Sequence, residues 1–257
     1  MTLRLVTIGF SHYCEKARWA LDRAKLDYVE ESHAPLFHYP SARRYGGRSV
    51  PILFDPATHE TFRDSSDIIQ AIHRRRPEAG LIPADPNLAA ECRELEDYFD
   101  ENLGPAARRM GYFFLVNRGG ARYGRELLAS SATPGTRAAV SLGYPAIAWA
   151  IARGLKVDEA GFERSKVKLD AVFARVGARL EQARAEGRDY LVGDSFTAAD
   201  LTFAALAMPL LQPRNAGWPM PPRDLLPPEA SALSSQLAST IAGGHALRLY
   251  EAERNAA

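Results

Sequence analysis

Ten residues, Pro77-Glu78-Ala79-Gly80-Leu81-Ile82-Pro83-Ala84-Asp85-Pro86, constrain this chain more than any other stretch. Three prolines and a glycine in so short a span cannot continue a helix, so residues 77–86 read as a linker. At roughly 150 residues per domain, 257 residues suit the two parts that this linker separates. The parts differ in kind. Residues 1–76 alternate short strands and helices. Leu3, Leu5, Val6 and Ile8 form a strand that Gly9 and Ser11 break, and a helix over about 12–26 carries Cys14, Ala17, Leu21 and Ala24 along one stripe. Glu15, Lys16 and Arg18 fall on its other faces. A brief strand at 28–30 and an irregular stretch with Pro35, Pro40 and Gly46-Gly47 come next. Two strands at 50–54 and 60–63 follow, joined as a hairpin, and Ile68, Ile69 and Ile72 give the next helix its apolar face. That helix ends on Arg74-Arg75-Arg76, where cations meet the negative end of the dipole. The order β-α-β, crossover, β-β-α predicts a small mixed sheet with helices packed on it.

Beyond residue 87 the strand signal stops. Segments 88–103, 144–154, 162–185 and 197–211 have helical spacing, the third with Phe162, Leu169, Phe173, Val176 and Leu180 along one face, and a helical bundle is expected over 87–257. The fold class is therefore α/β followed by all-α. Phe196-Thr197-Ala198-Ala199-Asp200-Leu201 is a capping box inside a hydrophobic staple, a device that starts a buried helix. The Pro-rich tail over 212–228, with Trp218 among its prolines, is expected to wrap the surface in extended form before a last short helix after Glu229.

Composition narrows the functional classes. The chain is 46% hydrophobic and 25% charged, which suits a globular protein, and its net charge of +1 gives no electrostatic reason to bind nucleic acid. Two cysteines, Cys14 and Cys92, cannot build a disulfide framework or a cysteine-rich zinc site. The longest nearly apolar run, 144–152, is far short of the roughly 20 residues that cross a bilayer. With no charged leader ahead of the first strand, a soluble cytoplasmic protein is expected.

Three places carry chemistry. At the first, Ser11 stands where a strand ends and a helix begins. Free N–H groups and the positive end of the helix dipole converge there and favour an anion, a thiolate included. A hydroxyl cannot act as a thiol nucleophile, so the position suits activation of a bound thiol, while serine is equally a preferred N-cap. Cys14, one turn on, lies on the apolar stripe, and His12 reads as an isolated surface histidine within reach of a ligand. At the second place, Val50-Pro51 opens an inner strand. Either the proline is an ordinary trans edge residue, or a cis bond leaves Val50 to pair its main chain with an extended peptide ligand. At the third, Asp64-Ser65 precedes a helical face, and both capping and recognition of a ligand's ammonium and carboxylate fit it.

Taken in order and spacing, Ser11-x-x-Cys14, Val50-Pro51 and Asp64-Ser65 resemble the glutathione-binding half of the glutathione transferases, and Thr197-Ala198-Ala199-Asp200 matches the capping box of that family. The resemblance covers residues 1–76 and about 87–211. It implies a thioredoxin-like domain followed by a helical domain, glutathione as co-substrate and no metal. It gives Ser11 as the hydroxyl that steadies the glutathione thiolate, Val50 before a cis Pro51 as the partner of the cysteinyl backbone, and Asp64 and Ser65 as the γ-glutamyl site. His12 stands where many relatives have proline, and Ser49 where several have lysine, with Arg48 beside it as a substitute. Cys14 matches the second cysteine of the thioredoxin-type motif, whose first is Ser11 here. The resemblance further implies a homodimer and an electrophilic, largely apolar second substrate, with Tyr112, Phe113 and Phe114 as pocket or core aromatics. Alternatives are a glutathione-dependent peroxidase, dehalogenase or ether-cleaving lyase, a silent binding scaffold, and a thiol oxidoreductase acting through Cys14.

Overall fold

A computed structural model describes residues 2–254; Met1 and residues 255–257, the outer ends of the two expected domains, lie outside the described residues. The first part holds β1 (Leu3–Thr7), α1 (His12–Arg23), β2 (Tyr28–Ser32), α2 (Tyr39–Arg44), β3 (Ile52–Phe54), β4 (Thr61–Phe62) and α3 (Ser65–Arg75). The four strands form one sheet in the order β2-β1-β3-β4. β1 runs parallel to β2 with Leu3 opposite Tyr28, and antiparallel to β3 with Leu5 opposite Leu53. A helix must carry the chain across the parallel pair, and α1 does so. This is the thioredoxin-like arrangement. Leu5 and Val6 are fully buried at the centre of the sheet.

The second part is helical: α4 (Pro86–Asn117), α5 (Ala121–Ser130), α6 (Arg137–Leu142), α7 (Tyr144–Leu155), α8 (Glu159–Ala185), α9 (Ala198–Leu211), α10 (Pro228–Ala238) and α11 (Ile241–Ala252). Local chemistry sets the starts. Asp85 Oδ1 accepts from Asn87 N at 2.8 Å and Leu88 N at 3.0 Å, and Pro86 takes the first helical position, where a missing N–H costs nothing. The capping box at Thr197 and Asp200 is formed, and Asp200, fully buried, also accepts from Leu191 N at 3.0 Å. α9 is buried along nearly its whole length, as a helix that is apolar on all sides must be.

One hydrophobic core runs through both parts, joining Leu5, Trp19 and Ile68 to Phe99, Phe203 and Leu206. Trp19 stacks on Phe196 with ring centroids 5.6 Å apart and lies 4.7 Å from Tyr250. Several elements differ from the expected ones. α4 continues through Pro105 instead of stopping at Leu103, α2, α5 and α6 were not anticipated, and the tail ends in two helices rather than one.

Glu15, Lys16 and Arg18, on the faces of α1 away from its apolar stripe, are all buried as well. Burial of charge is tolerable only with partners. Glu15 binds Arg18 at 2.6 Å, Arg254 at 2.8 Å and the Gly217 N–H at 3.0 Å. Arg254 also reaches Asp22 at 2.8 Å, and Arg18 reaches Glu30 at 3.0 Å and the Gly9 carbonyl. On the other flank, Lys16 Nζ lies 2.9 Å from Glu96 and donates to Asp100 at 2.7 Å and to Ser66 Oγ at 2.9 Å. The first turns of α1 are thereby locked to α3, α4 and the C-terminal chain.

The Pro-rich tail is seated by the same contacts. Trp218 packs against Gly9 so closely that a Cβ there would enter its ring, its indole N–H donates to Ser130 Oγ at 3.0 Å, and Arg18 lies over its face.

Candidate active site

Two adjoining hollows open at the N-terminus of α1, each of about 400 Å³. The inner cavity lies between the sheet edge and the helical part, with walls that include Phe10, Leu36, Phe114, Leu115, Ile151 and Met220. The groove lies between the start of α3 and α4, and is lined by Arg63, Asp97, Asp100 and Glu101 among others. Tyr13, Ser49, Val50 and Arg108 belong to both. The structure gathers all seven candidate residues here: Ser11, His12, Arg48 and Val50 on the inner cavity, and Val50, Pro51, Asp64 and Ser65 on the groove.

Ser11 occupies the N-cap of α1 in extended backbone, φ −70° and ψ 127°, and its carbonyl accepts from Glu15 N at 2.8 Å. Its side chain makes no capping hydrogen bond. The hydroxyl therefore does not cap the helix; Ser11 lies on the cavity wall beside the unpaired N–H groups of the first turn, with its hydroxyl near the Cys14 thiol. Cys14 is fully buried, which pushes its thiol up to about 11 even though Arg18, the Ile8 main chain and the Ser11 hydroxyl pull the other way. A neutral, enclosed thiol is neither nucleophile nor redox partner at neutral pH.

His12 is not the surface histidine expected. It is 3% exposed, and its Nε2 lies 3.0 Å from the Gly104 carbonyl, to which it donates. Burial, with the Arg108 charge adding to it, holds the ring at about 3 against the hydrogen bond to Gly104, so the imidazole stays neutral at any working pH. Gly104 is required there, because a side chain would run into the Tyr13 ring. Tyr13 donates to the Asp100 carbonyl at 3.1 Å, and burial raises its phenol well above the usual range.

The Val50–Pro51 peptide is cis, and β3 begins only at Ile52, so Val50 lies outside the sheet register at the meeting point of the two hollows. Asp64 both caps and faces the groove: its Oδ1 accepts from Ser66 N at 2.8 Å, and the residue is exposed. Ser65 beside it is buried. Across the groove stands an acidic wall from α4 that sequence reasoning missed. There Asp100 keeps Oδ2 for Lys16 and Ser66, while its Oδ1 is buried without a hydrogen-bond partner. Burial, despite Lys16, raises its carboxyl above the ordinary value. Tyr112 and Phe114 line the inner cavity, whereas Phe113 stacks on Phe162 in the core at 4.4 Å. Among the described residues no group of three or more His, Cys, Asp or Glu side chains is placed to hold a metal ion, and no helix is long and apolar enough to cross a membrane.

A thioredoxin-like sheet, opening at the first helix onto a peptide-sized groove and backed by an all-helical bundle, defines the architectural class. Comparison with known proteins narrows it. Residues 5–80 match the family model for the glutathione S-transferase N-terminal domain, and residues 139–215 match that for the C-terminal domain. The chain belongs to the glutathione S-transferase family. No curated protein matches the sequence. Among solved structures, similar chains include a glutathione S-transferase from Methylobacterium radiotolerans described as a complex with glutathione sulfonate. It shares 20% identity over 96% of this chain and 95% of its own, with a TM-score of 0.53. The β-etherase LigF from Sphingobium sp. strain SYK-6 shares 21% identity over 96% and 99%, with a TM-score of 0.61. Glutathione transferase GSTFuA3 from Phanerochaete chrysosporium shares 17% over 98% and 97%, with a TM-score of 0.63. At these identities the likeness is one of fold.

Proposed function

We propose that this protein is a glutathione transferase, adding the glutathione thiolate to an electrophilic, largely apolar small molecule. The observation that carries the reading is the place of Ser11: it sits at an N-cap that its side chain does not cap, on the wall of a largely apolar cavity that adjoins a polar groove. In this reading glutathione extends along the groove. Val50 pairs with its cysteinyl main chain, Asp64 and the α4 carboxylates meet its ammonium, Ser65 and the first N–H groups of α3 meet its α-carboxylate, and Arg48 meets its other end. The thiol then points to Ser11, whose hydroxyl and helix end favour the anion, and binding holds it beside the electrophile in the inner cavity. His12, neutral and turned to Gly104, shapes the wall rather than shuttling protons.

The relative solved with glutathione sulfonate supports glutathione as the ligand. The buried, protonated Cys14 supports no reading as a thiol oxidoreductase. A homodimer and a cytoplasmic location accompany the family reading as proposals. The test is turnover with glutathione and a panel of aryl halide and epoxide electrophiles. Ser11→Ala is expected to lower kcat by about tenfold or more, the cost of one charge-assisted hydrogen bond, and Cys14→Ala to change it less than about threefold. The reverse pattern would replace the transferase by the oxidoreductase.

A further inference from the structure

Arg108 is the charged side chain of the cleft that the reading above leaves without an occupant. It is half-buried on α4 and lines both the inner cavity and the groove. Other enclosed guanidiniums are matched: Arg18 and Arg254 share Glu15, and the neighbouring Arg109 donates to the Leu155 carbonyl at 3.0 Å and to Ser165 Oγ at 2.8 Å. Among the described residues Arg108 has no hydrogen bond and no ion pair, because none of the groove's carboxylates comes within ion-pair distance. Together with Tyr13, Ser49 and Val50 it lines both hollows, which places it where the cavity and the groove meet.

Its helical neighbours set the geometry. Gly104, Arg108 and Tyr112 follow one another at four-residue steps, so they share one face of α4. Arg108, Tyr112 and Leu115 all line the inner cavity. The Tyr112 hydroxyl has no hydrogen-bond partner among the described residues, and burial keeps the phenol protonated and therefore a donor. One planar guanidinium and one phenol, on the α4 side of a cavity whose walls also carry Phe10, Leu36, Phe114 and Ile151, match a planar monoanion: the fork donates two parallel bonds to a carboxylate and the phenol a third.

We propose that Arg108, backed by the Tyr112 hydroxyl, selects an electrophile whose apolar body carries a carboxylate. The inference rests on the transferase reading. It also makes Arg108 a specificity residue for the second substrate rather than part of the glutathione site. A matched pair of probes tests it: a chloronitrobenzoate and its methyl ester, which share ring and leaving group. In both, the thiolate forms a C–S bond at the chlorinated carbon, and chloride departs with the electron pair of the broken C–Cl bond.

The wild type is expected to prefer the carboxylate. Arg108→Met should lower the carboxylate-to-ester ratio of kcat/KM by about tenfold or more, and Arg108→Lys should keep part of it. A ratio that moves by less than about twofold, or a loss that is equal for the two probes or appears only as a raised KM for glutathione, overturns the inference. Calorimetric titration with glutathione and with the two S-aryl conjugates separates the levels. If wild type binds neither glutathione nor conjugate, the transferase reading fails and takes the inference with it. If it binds both conjugates, and Arg108→Met does not shift their affinity ratio, the inference alone fails.

Discussion

His12 makes the fold acid-sensitive in a way that can be calculated. Its imidazole is enclosed, turned to the Gly104 carbonyl and held neutral down to about 3, whereas in the unfolded chain it titrates near the ordinary histidine value of about 6.5. Between those values the unfolded state binds a proton that the native state refuses. Because stability rises with pH wherever the unfolded state holds more protons, stability must fall as the solution is acidified through this window. Down to about pH 4.5 the unfolded imidazole holds one extra proton over about two pH units below its ordinary value, and at ~1.4 kcal/mol per pH unit this removes about 3 kcal/mol of stability. Replacing His12 by Gln keeps an amide donor for Gly104 and abolishes the titration. Urea unfolding of both proteins, followed by tryptophan fluorescence at about pH 7 and about pH 4.5, isolates the contribution, since all other titrating groups are shared. The wild type should lose about 3 kcal/mol more than His12→Gln on acidification. Equal losses, to within about 1 kcal/mol, would refute the enclosed neutral imidazole.

The triad that Lys16 of α1 forms with Glu96 and Asp100 of α4 gives a second expectation. Lys16→Met leaves Glu96 and Asp100 facing each other without their cation, and should cost about 3–5 kcal/mol in urea unfolding; a change below about 1 kcal/mol would mean that the triad is open to water. Thiol chemistry gives a third: Cys14 and Cys92 are 0% and 2% exposed, with burial pushing each thiol up to about 11, so an aromatic disulfide reagent should label neither in the native protein and both in urea. Rapid native labelling of Cys14 would contradict its place in the core and reopen its redox role.

Periodicity and punctuation made the scaffold legible. The stripe of Cys14, Ala17 and Leu21 and the staple around Thr197 each mark a helix that forms, because burial on one face and a capped start are local properties. Where tertiary packing overrides local preference, sequence was mute. Pro105 reads as a stop, yet α4 runs through it, packed along α8 and α9. α2 has six residues, too few to show a period. The burial of Glu15, Lys16 and Arg18 depends on Arg254, Glu96 and Asp100, partners far along the chain that no window around α1 contains. The site divides likewise. Ser11, Val50, Asp64 and Ser65 announce themselves through junctions and turns. Arg108 and the α4 carboxylates become visible only when the helical part is laid across the groove; the four-residue spacing of Gly104, Arg108 and Tyr112 was the one available signal.

The account stands on the Ser11 end of α1 keeping a bound sulfur ionised. The direct measurement is the ultraviolet absorbance of the thiolate in the complex with glutathione, titrated against pH for wild type and Ser11→Ala. The wild-type complex should ionise about one unit or more below free glutathione, and the variant should move back towards the free value. A bound thiol that titrates as it does in free solution, or one that Ser11→Ala leaves unmoved, would contradict it.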